Sequence, residues 1–281
     1  MRICVSLPVH EQAVCVLDLI NNIFKHLKDC FIVLLINVEH RDAFLREAKV
    51  LGIDFSKMDN VYVNMDDCTF YDRGCLIRQH NSNFSYADKI ERFDRFLLHS
   101  SNDMYIQSLG DIYLSEHKCG LQRIECNNTM EWCQSKVAYS DADFLELLKI
   151  CNLKQVYGSQ VEGSFYSYDV FKCLVELIHN NYKENRIWYC REEIFYPTLA
   201  HGLFKETITG RNIVYSEVIT GKETTIDTID RIFKKNVERH NYTGMGKYAS
   251  PNFLYDFDNL YAVKRVKRSI EDPIRKYINS L

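Results

Sequence analysis

The stretch CFIVLLINV, at residues 30–38, decides the fold because it is an unbroken run of aliphatic and β-branched residues. Such a run is typical of a strand that is buried on both faces of a sheet. A second run, RICVSLPV at residues 2–9, precedes it and ends beside a proline. Between the two, EQAVCVLDLINNIFKHL spaces its apolar residues as a helix does. The sequence therefore predicts two parallel strands joined by a helix.

The same alternation continues along the chain. RDAFLREAKVLG predicts a helix that ends at Gly52, NVYVN a third strand, residues 76–91 a further helix, and RFLLH a fourth strand. This order predicts an α/β fold with a mostly parallel central sheet flanked by helices. Ligands of such sheets bind beyond the carboxyl ends of the strands. We therefore expect the site near residues 8–12, residues 37–40 and the SSND sequence that follows RFLLH.

Size and composition limit the function classes. The 281 residues contain 46% hydrophobic residues and no linker-like segment, so we predict one domain over residues 1–281. Its nucleotide-binding half covers about 1–110, and its acceptor and catalytic half covers about 111–281. The net charge of −3 argues against a nucleic-acid-binding protein. No signal peptide or membrane span is evident, which predicts a soluble, cytoplasmic protein.

The cysteines are predicted to be free thiols. Their number is odd, eleven, and no two have Cys-x-x-Cys spacing. Cys119, Cys126 and Cys133, with His117 nearby, invite a zinc interpretation. Structural zinc sites usually contain closely spaced cysteine pairs, so buried thiols in a reducing compartment are the better prediction.

Two segments offer aspartates for a nucleotide-binding site. In KVAYSDADFLELLKI, Asp141 and Asp143 have the Asp-x-Asp spacing of metal-holding carboxylates, but the apolar residues that follow have helical periodicity. Ser140 or Asp141 is then the N-cap of a helix, and Asp143 lies near its positive end. In RFLLHSSND, Asp103 follows an apolar strand directly, as a ligand-binding residue should. We favour Asp103 and keep Asp141 and Asp143 as the alternative, metal-binding pair.

A single carboxylate is a poor site for Mg²⁺ or Mn²⁺. The late basic residues Lys264, Arg265, Lys267 and Arg268 offer another source of positive charge for a leaving diphosphate, or else they form a solvated helix face. CREEIFYPTLA follows the apolar and aromatic residues Ile187, Trp188 and Tyr189, and it contains Glu192 and Glu193. One of these carboxylates is a candidate general base, although paired glutamates are also common in the solvated first turn of a helix.

The order of LPVHEQ, CFIVLLINVE, FDRFLLHSSNDMYI, YGSQVEGSFY, CREEIFYPTL and NLYAVKRV resembles the core-2/I-branching β-1,6-N-acetylglucosaminyltransferase family, which includes peptide O-xylosyltransferases. The resemblance spans most of the chain. It implies a GT-A-like fold, a UDP-sugar donor, inversion at the anomeric carbon and transfer that requires no metal. Animal members are membrane-anchored, whereas this chain begins at the first strand, which suggests a microbial or viral enzyme.

Carried over by position, the resemblance implies roles for individual residues. Glu193 matches the catalytic base. Asn37 stands where the family usually has a nucleotide-contacting aspartate, and Lys264 matches the basic residue that binds the diphosphate. The full implied donor site is Pro8, Val9, His10, Asn37, Ser101, Asn102, Asp103, Lys264, Arg265 and Lys267. The implied acceptor site is Gly158, Ser159, Gln160 and Glu162.

These observations predict an inverting glycosyltransferase that moves a sugar, with GlcNAc or xylose favoured, from a UDP-sugar to a hydroxyl of a glycan acceptor without a required cofactor. A non-catalytic glycan- or nucleotide-binding module of the same fold is one alternative. The other is a metal-dependent transferase in which Asp141 and Asp143 hold Mg²⁺ or Mn²⁺.

Overall fold

The computed structural model describes residues 1–10, 12–68, 76–108, 111–183, 187–216, 223–235, 256 and 258–281. Its strands are β1 (Ile3–Val9), β2 (Cys30–Ile36), β3 (Val61–Asn64), β4 (Arg95–Leu98), β5 (Asp103–Tyr105), β6 (Cys119–Gly120), β7 (Ile124–Cys126), β8 (Val156–Gly158), β9 (Phe165–Ser167), β10 (Ile208–Gly210), β11 (Val214–Tyr215) and β12 (Ala262–Lys264). Its helices are α1 (Ala13–His26), α2 (Val38–Val50), α3 (Leu76–Ile90), α4 (Asp111–Glu116), α5 (Cys133–Ala138), α6 (Ala142–Ile150), α7 (Tyr168–Asn181), α8 (Glu192–Leu203), α9 (Ile226–Phe233) and α10 (Pro273–Ser280).

The central sheet has the order β10-β6-β9-β4-β1-β2-β3 among the described strands. Strands β3, β2, β1 and β4 are mutually parallel, and β9 is antiparallel to its neighbours β4 and β6. Helices link the parallel strands in sequence, as in α/β proteins generally. The predicted fold class, an α/β fold with a mostly parallel sheet and flanking helices, is confirmed.

The two apolar runs form the centre of this sheet. β1 pairs with β2 along its whole length, and all seven residues of each strand are buried. Successive side chains of a strand point to opposite faces, so helices or loops must cover both faces here. The continuous hydrophobic pattern of residues 3–9 and 30–36 follows from that double burial.

The predicted ends of α2 and α3 agree closely with the structure, but α2 begins at Val38, three residues before the predicted start. Asn37 and Val38, which were predicted as the end of the second strand, form the N-cap and first residue of α2. α2 ends at Val50, and Gly52 has a φ of +69°, a conformation that glycine adopts more easily than other residues. α3 covers Leu76–Ile90 against a predicted 76–91. β4 covers Arg95–Leu98, so the SSND sequence follows the strand as expected.

A second, three-stranded sheet has the order β11-β12-β5 and brings the end of the chain to the end of β4. β12 runs antiparallel to β5, and Lys264 lies directly opposite Asp103. The chain after β12 is attached through the buried Arg275. Its guanidinium group donates to the Lys267 carbonyl over 3.3 Å and forms an ion pair with Asp18 on α1 at 2.6 Å.

The ten described cysteines are free thiols, as predicted, and Cys75 lies outside the described residues. Cys119 and Cys126 are buried in strands, whereas Cys133 is exposed at the start of α5. In the described part of the chain, no three histidine, cysteine or acidic residues are grouped so that they could hold a metal ion. None of the described helices is long and apolar enough to cross a membrane.

Candidate active site

A cavity of about 580 Å³ opens at the carboxyl ends of β1 and β4. This is the edge at which parallel sheets bind ligands. Most of its lining comes from the end of β1, the turn after β4 and the chain from β12 onward, and Leu76, Glu162 and Glu223 complete it. The lining residues are Pro8, His10, Leu76, His99, Ser100, Ser101, Asn102, Glu162, Glu223, Lys264, Arg265, Val266, Lys267 and Arg268.

Lys264 is the central cation of this cavity. Its ammonium group contacts the Glu162 carboxylate, and both side chains are largely buried. Burial opposes the charge of Lys264, but the nearby acidic groups, first among them the Glu162 carboxylate, outweigh that cost and raise the Lys264 pKa. Burial also opposes the charge of Glu162, but Lys264 lowers the pKa of this carboxyl below its ordinary value. Lys264 and Glu162 therefore form a charged pair at neutral pH.

Asp103 has the opposite protonation tendency. Its side chain is fully buried, and burial raises its pKa well above the ordinary value, which the nearby charge of Lys264 only partly offsets. One carboxylate oxygen, Oδ2, accepts the Ser100 N–H at 2.9 Å and thereby closes the turn after β4. Asp103 thus holds the turn from beneath the cavity and does not line it. With one lysine between two buried carboxyl groups, Glu162 keeps the charge and Asp103 favours the protonated form.

The basic segment, defined as Lys264, Arg265, Lys267 and Arg268, lines one side of the cavity. Lys267 forms an exposed ion pair with Glu223 at 3.2 Å. Burial, followed by the charges of Arg268 and His40, lowers the pKa of His10, directly after β1, to about 4. Four cations on one wall suit the negative charge of a phosphate or diphosphate. The alternative that these residues form a solvated helix face is wrong, since Lys264 belongs to β12 and residues 265–268 are not helical.

Glu193 lies in the first turn of α8 and is half-buried. Its backbone carbonyl accepts the N–H of Ser159 at 3.0 Å, which attaches the Gly158–Ser159–Gln160 loop to the start of this helix. The charge of Glu193 reaches Lys264 and raises its pKa. The neighbouring Glu192 is only 3% exposed, so the pair of glutamates is not a solvated first turn.

The loop predicted to bind the acceptor is held tightly by the protein itself. A Cβ atom on Gly158 would lie 2.2 Å from the ring of Trp132, which explains the glycine. Ser159 Oγ accepts from the Gln122 N–H and donates to the Gln160 carbonyl at 2.7 Å. Gln160 does not line the cavity, whereas Glu162 does. Acceptor binding by Gly158, Ser159 and Gln160 stays a prediction.

The end of β1 contributes Pro8 and His10 to the cavity, and Glu11 lies outside the described residues. Val9 is buried, and its carbonyl accepts the N–H of Asn37 at 2.9 Å. The Asn37 side chain caps α2 by accepting the Glu39 N–H at 3.0 Å. Neither Val9 nor Asn37 belongs to the cavity lining. Their assignment to the donor site remains a prediction.

Asp141 is the N-cap of α6, as predicted. It accepts the Phe144 N–H through Oδ1, and its Oδ2 accepts the hydroxyls of Tyr182 at 3.0 Å and Tyr189 at 2.9 Å. The side chain is fully buried and lies outside the cavity lining. Asp143 lies in the first turn of the same helix. Both oxygens of Asp141 are therefore already used to hold local structure.

Sequence reasoning missed the two buried histidines at this site. His99 lines the cavity, and His80 on α3 is close enough for the charges of Glu162 and His99 to act on it. Nδ1 of His80 forms a hydrogen bond of 2.8 Å with Oγ of Ser6 in β1. A polar residue inside an apolar strand was the available signal, at Ser6 in ICVSLPV and at His99 directly after RFLL.

No protein-family model matches the chain, and no curated protein matches it in sequence. Among solved structures, it is similar to an active-site mutant of LgtC, with 12% identity and a TM-score of 0.47 over 100% of this chain and 94% of that chain. The bifunctional glycosyltransferase WbbM in its apo form gives 13% identity and a TM-score of 0.43, over 100% of this chain and 51% of that one. Residues 1–349 of S. aureus TarS give 14% identity and a TM-score of 0.39, over 69% of this chain and 53% of that one.

Proposed function

We propose that this protein is a glycosyltransferase that moves a sugar from a UDP-sugar to a hydroxyl of a glycan acceptor, with inversion and without a required metal ion. GlcNAc and xylose are the favoured sugars. One observation carries the proposal: the pairing of β12 with β5 sets Lys264 opposite Asp103, at the edge of the sheet where the basic segment lines a cavity of about 580 Å³. A fixed cluster of cations at that edge suits a nucleotide diphosphate.

The proposed chemistry is a single displacement. The acceptor oxygen forms a bond to the anomeric carbon while the bond from that carbon to the diphosphate breaks, and UDP departs with the electron pair. Glu193 takes the proton of the acceptor hydroxyl, and Lys264, with Arg265 and Lys267, neutralises the charge that develops on the diphosphate. The half-buried position of Glu193 and the effect of its charge on Lys264 support this division of roles.

The first experiment is a thermal-shift screen against UDP and a panel of UDP-sugars, followed by a UDP-release assay with glycan acceptors. A donor that binds the native state raises the melting temperature. We expect stabilisation by at least one UDP-sugar and UDP release that depends on the acceptor. Stabilisation without release from any donor would instead indicate the non-catalytic binding module.

The second experiment tests the base. Glu193→Gln should lower turnover by about 10²–10⁴-fold and leave the affinity for the donor within about twofold. Asp143→Asn is the matched control, because it removes another first-turn carboxylate. Neither side chain belongs to the cavity lining, but the charge of Glu193 acts on Lys264. Normal turnover of Glu193→Gln would reject the base assignment. Loss of turnover in Asp143→Asn, or on addition of EDTA, would favour the metal-dependent alternative.

A further inference from the structure

Buried polar atoms with unused hydrogen-bonding capacity lie at and next to the inner end of the cavity. His99 and Glu162 line the cavity, whereas His80 does not line it but is close enough to both for their charges to act on it. Nε2 of His80, Nε2 of His99 and Oε2 of Glu162 have no hydrogen-bond partner within the described part of the chain. His80 and His99 are fully buried, and Glu162 is 5% exposed. Leaving a buried polar group unpaired costs about 1–3 kcal/mol, so three at one place call for an explanation.

The hydrogen bonds around His80 favour a proton on Nε2 rather than on Nδ1. Asn83 accepts from Asn64 through its oxygen and donates from its nitrogen to the Val33 carbonyl and to Ser6 Oγ. Ser6 Oγ thus accepts from Asn83, and its own hydrogen is free to be donated to Nδ1 of His80 at 2.8 Å. In a neutral ring the proton is then on Nε2. Burial keeps the ring neutral by lowering its pKa to about 3.

His99 has the opposite tautomer. Its Nδ1 lies 2.7 Å from the carbonyl oxygen of Ser100, which can only accept, so Nδ1 carries the proton. Nε2 of His99 is therefore an acceptor, and burial lowers the pKa of this ring to about 4. Together, His80 offers an N–H donor, His99 offers a neutral acceptor, and Glu162 offers an anionic acceptor.

This combination does not suit a phosphate group. A phosphate oxygen would meet the negative charge of Glu162 and the lone pair of His99, and both repel it. A hydroxyl group fits, because it accepts from an N–H and donates to a carboxylate or an imidazole nitrogen. Of the basic segment, Lys264 contacts Glu162 through Oε1, and Arg265, Lys267 and Arg268 supply the remaining positive charge of the lining. The Lys264–Glu162 pair therefore joins an anion-binding part of the cavity to a hydroxyl-binding part.

We propose that His80, His99 and Glu162 form a subsite that binds hydroxyl groups of the sugar ring to be transferred, next to the basic segment that holds the diphosphate. This inference rests on the proposed function for its nucleotide part, whereas the recognition of a polyhydroxylated ring rests on the three side chains alone. It makes these residues determinants of donor-sugar specificity. A site that hydrogen-bonds a hydroxyl discriminates strongly against analogues that lack it.

Two conservative variants test the subsite. His80→Asn keeps a group near Nδ1 that can accept from Ser6 but has nothing at the position of Nε2. His99→Asn likewise keeps a donor for the Ser100 carbonyl and loses the Nε2 acceptor. His179→Asn is the matched control, since His179 is exposed on α7 and outside this cavity. Circular dichroism and melting temperature establish that each variant is folded.

The measurement is calorimetric titration of each protein with UDP and with UDP-GlcNAc, UDP-xylose, UDP-glucose and UDP-galactose. We expect the affinity for the preferred UDP-sugar to fall by about tenfold in His80→Asn and His99→Asn, and the affinity for UDP to change by less than about twofold. Equal losses for UDP and UDP-sugar would mean that the histidines only support the structure. No loss in either variant would also overturn the subsite.

A second measurement does not depend on the nucleotide or on the variants. The ring-nitrogen NMR signals of His80 and His99 in the wild-type protein are followed during addition of free monosaccharides. We expect a shift of both Nε2 signals with at least one sugar. If UDP fails to bind but sugars shift these signals, the transferase proposal fails and the hydroxyl subsite stands. If UDP binds but neither free sugars nor UDP-sugars shift them beyond the effect of UDP, the subsite is refuted.

Discussion

Replacing Lys264 by methionine should weaken both the folded state and the binding of UDP, and the two losses can be separated. The ammonium group of Lys264 contacts Glu162, which is 5% exposed. Without Lys264, that buried carboxylate must either stay charged without its partner or take up a proton. Removing one partner of a buried ion pair typically costs about 3–5 kcal/mol.

The size of the effect on melting temperature follows from the length of the chain. Unfolding entropy is about 2.1 cal/mol/K per residue, so 281 residues give roughly 0.6 kcal/mol/K. A loss of 3–5 kcal/mol then lowers the melting temperature by about 5–8 °C. The added change Glu162→Gln removes the uncompensated charge, so the double variant should regain about 2–3 kcal/mol. Loss of a charge-assisted hydrogen bond should weaken UDP binding by roughly 10- to 150-fold in both variants.

Urea unfolding and calorimetric titration with UDP provide the two readouts. Lys276→Met is the matched control, because Lys276 pairs with Glu271 at an exposed site where an ion pair is worth about 0–1 kcal/mol. If Lys264→Met costs less than about 1 kcal/mol and Glu162→Gln restores nothing, the buried pair does not contribute as argued. If the variant binds UDP within about twofold of wild type, Lys264 does not hold the diphosphate.

Three further changes test other parts of the structure. Asp103→Asn imitates the protonated carboxyl. Because the pKa of Asp103 is raised in the native state, the native protein keeps a proton that the unfolded chain releases above about pH 4. The stability of the wild type therefore falls as the pH rises from about 4 to the native pKa. The variant should gain up to about 1.4 kcal/mol per pH unit relative to wild type over that range in urea unfolding, and parallel curves would contradict the raised pKa. Asp141→Ala removes an N-cap and the acceptor of two tyrosine hydroxyls. The free energy of unfolding, measured in urea, should fall by about 3 kcal/mol, and the affinity for the donor should not change. A change in donor affinity alone would instead favour a ligand-binding role. Gly158→Ala places a methyl group 2.2 Å from the Trp132 ring, which should lower the free energy of unfolding in urea by about 1–3 kcal/mol. An unchanged stability would show that the ring moves freely.

The sheet could be predicted because the residues of its central strands both favour strand conformation and suit burial on both faces of a sheet. Residues 3–9 and 30–36 are apolar throughout, and the structure buries every one of them. The order of strands and helices then allows few parallel arrangements. The cap at Asp141 was also predictable, since it depends on a few neighbouring residues only.

The contacts within the site depend on distant parts of the chain and were less predictable. The pairing of Lys264 with Glu162 joins residues about a hundred positions apart, and the position of Lys264 is set by the pairing of β12 with β5. Its proximity to Asp103 was expected only through the resemblance, and the pattern of LYAVKRV alone also allowed a solvated helix. The tautomers of His80 and His99 depend on single hydrogen bonds to Ser6 and Ser100, which leave no periodic signal in the sequence.

The placement of the carboxylates bears on how the leaving group would be stabilised. A divalent cation prefers several oxygen ligands that reach into the cavity. Asp103 instead accepts the Ser100 N–H through Oδ2 and is fully buried. It is also close enough to Lys264 for the ammonium charge to act on it, and that charge would repel a second cation. A lysine is flexible, so it can replace a metal only if its position is fixed. The strand pairing at Asp103 and the ion pair with Glu162 fix it here, and this is why the proposed transfer assigns the diphosphate to Lys264.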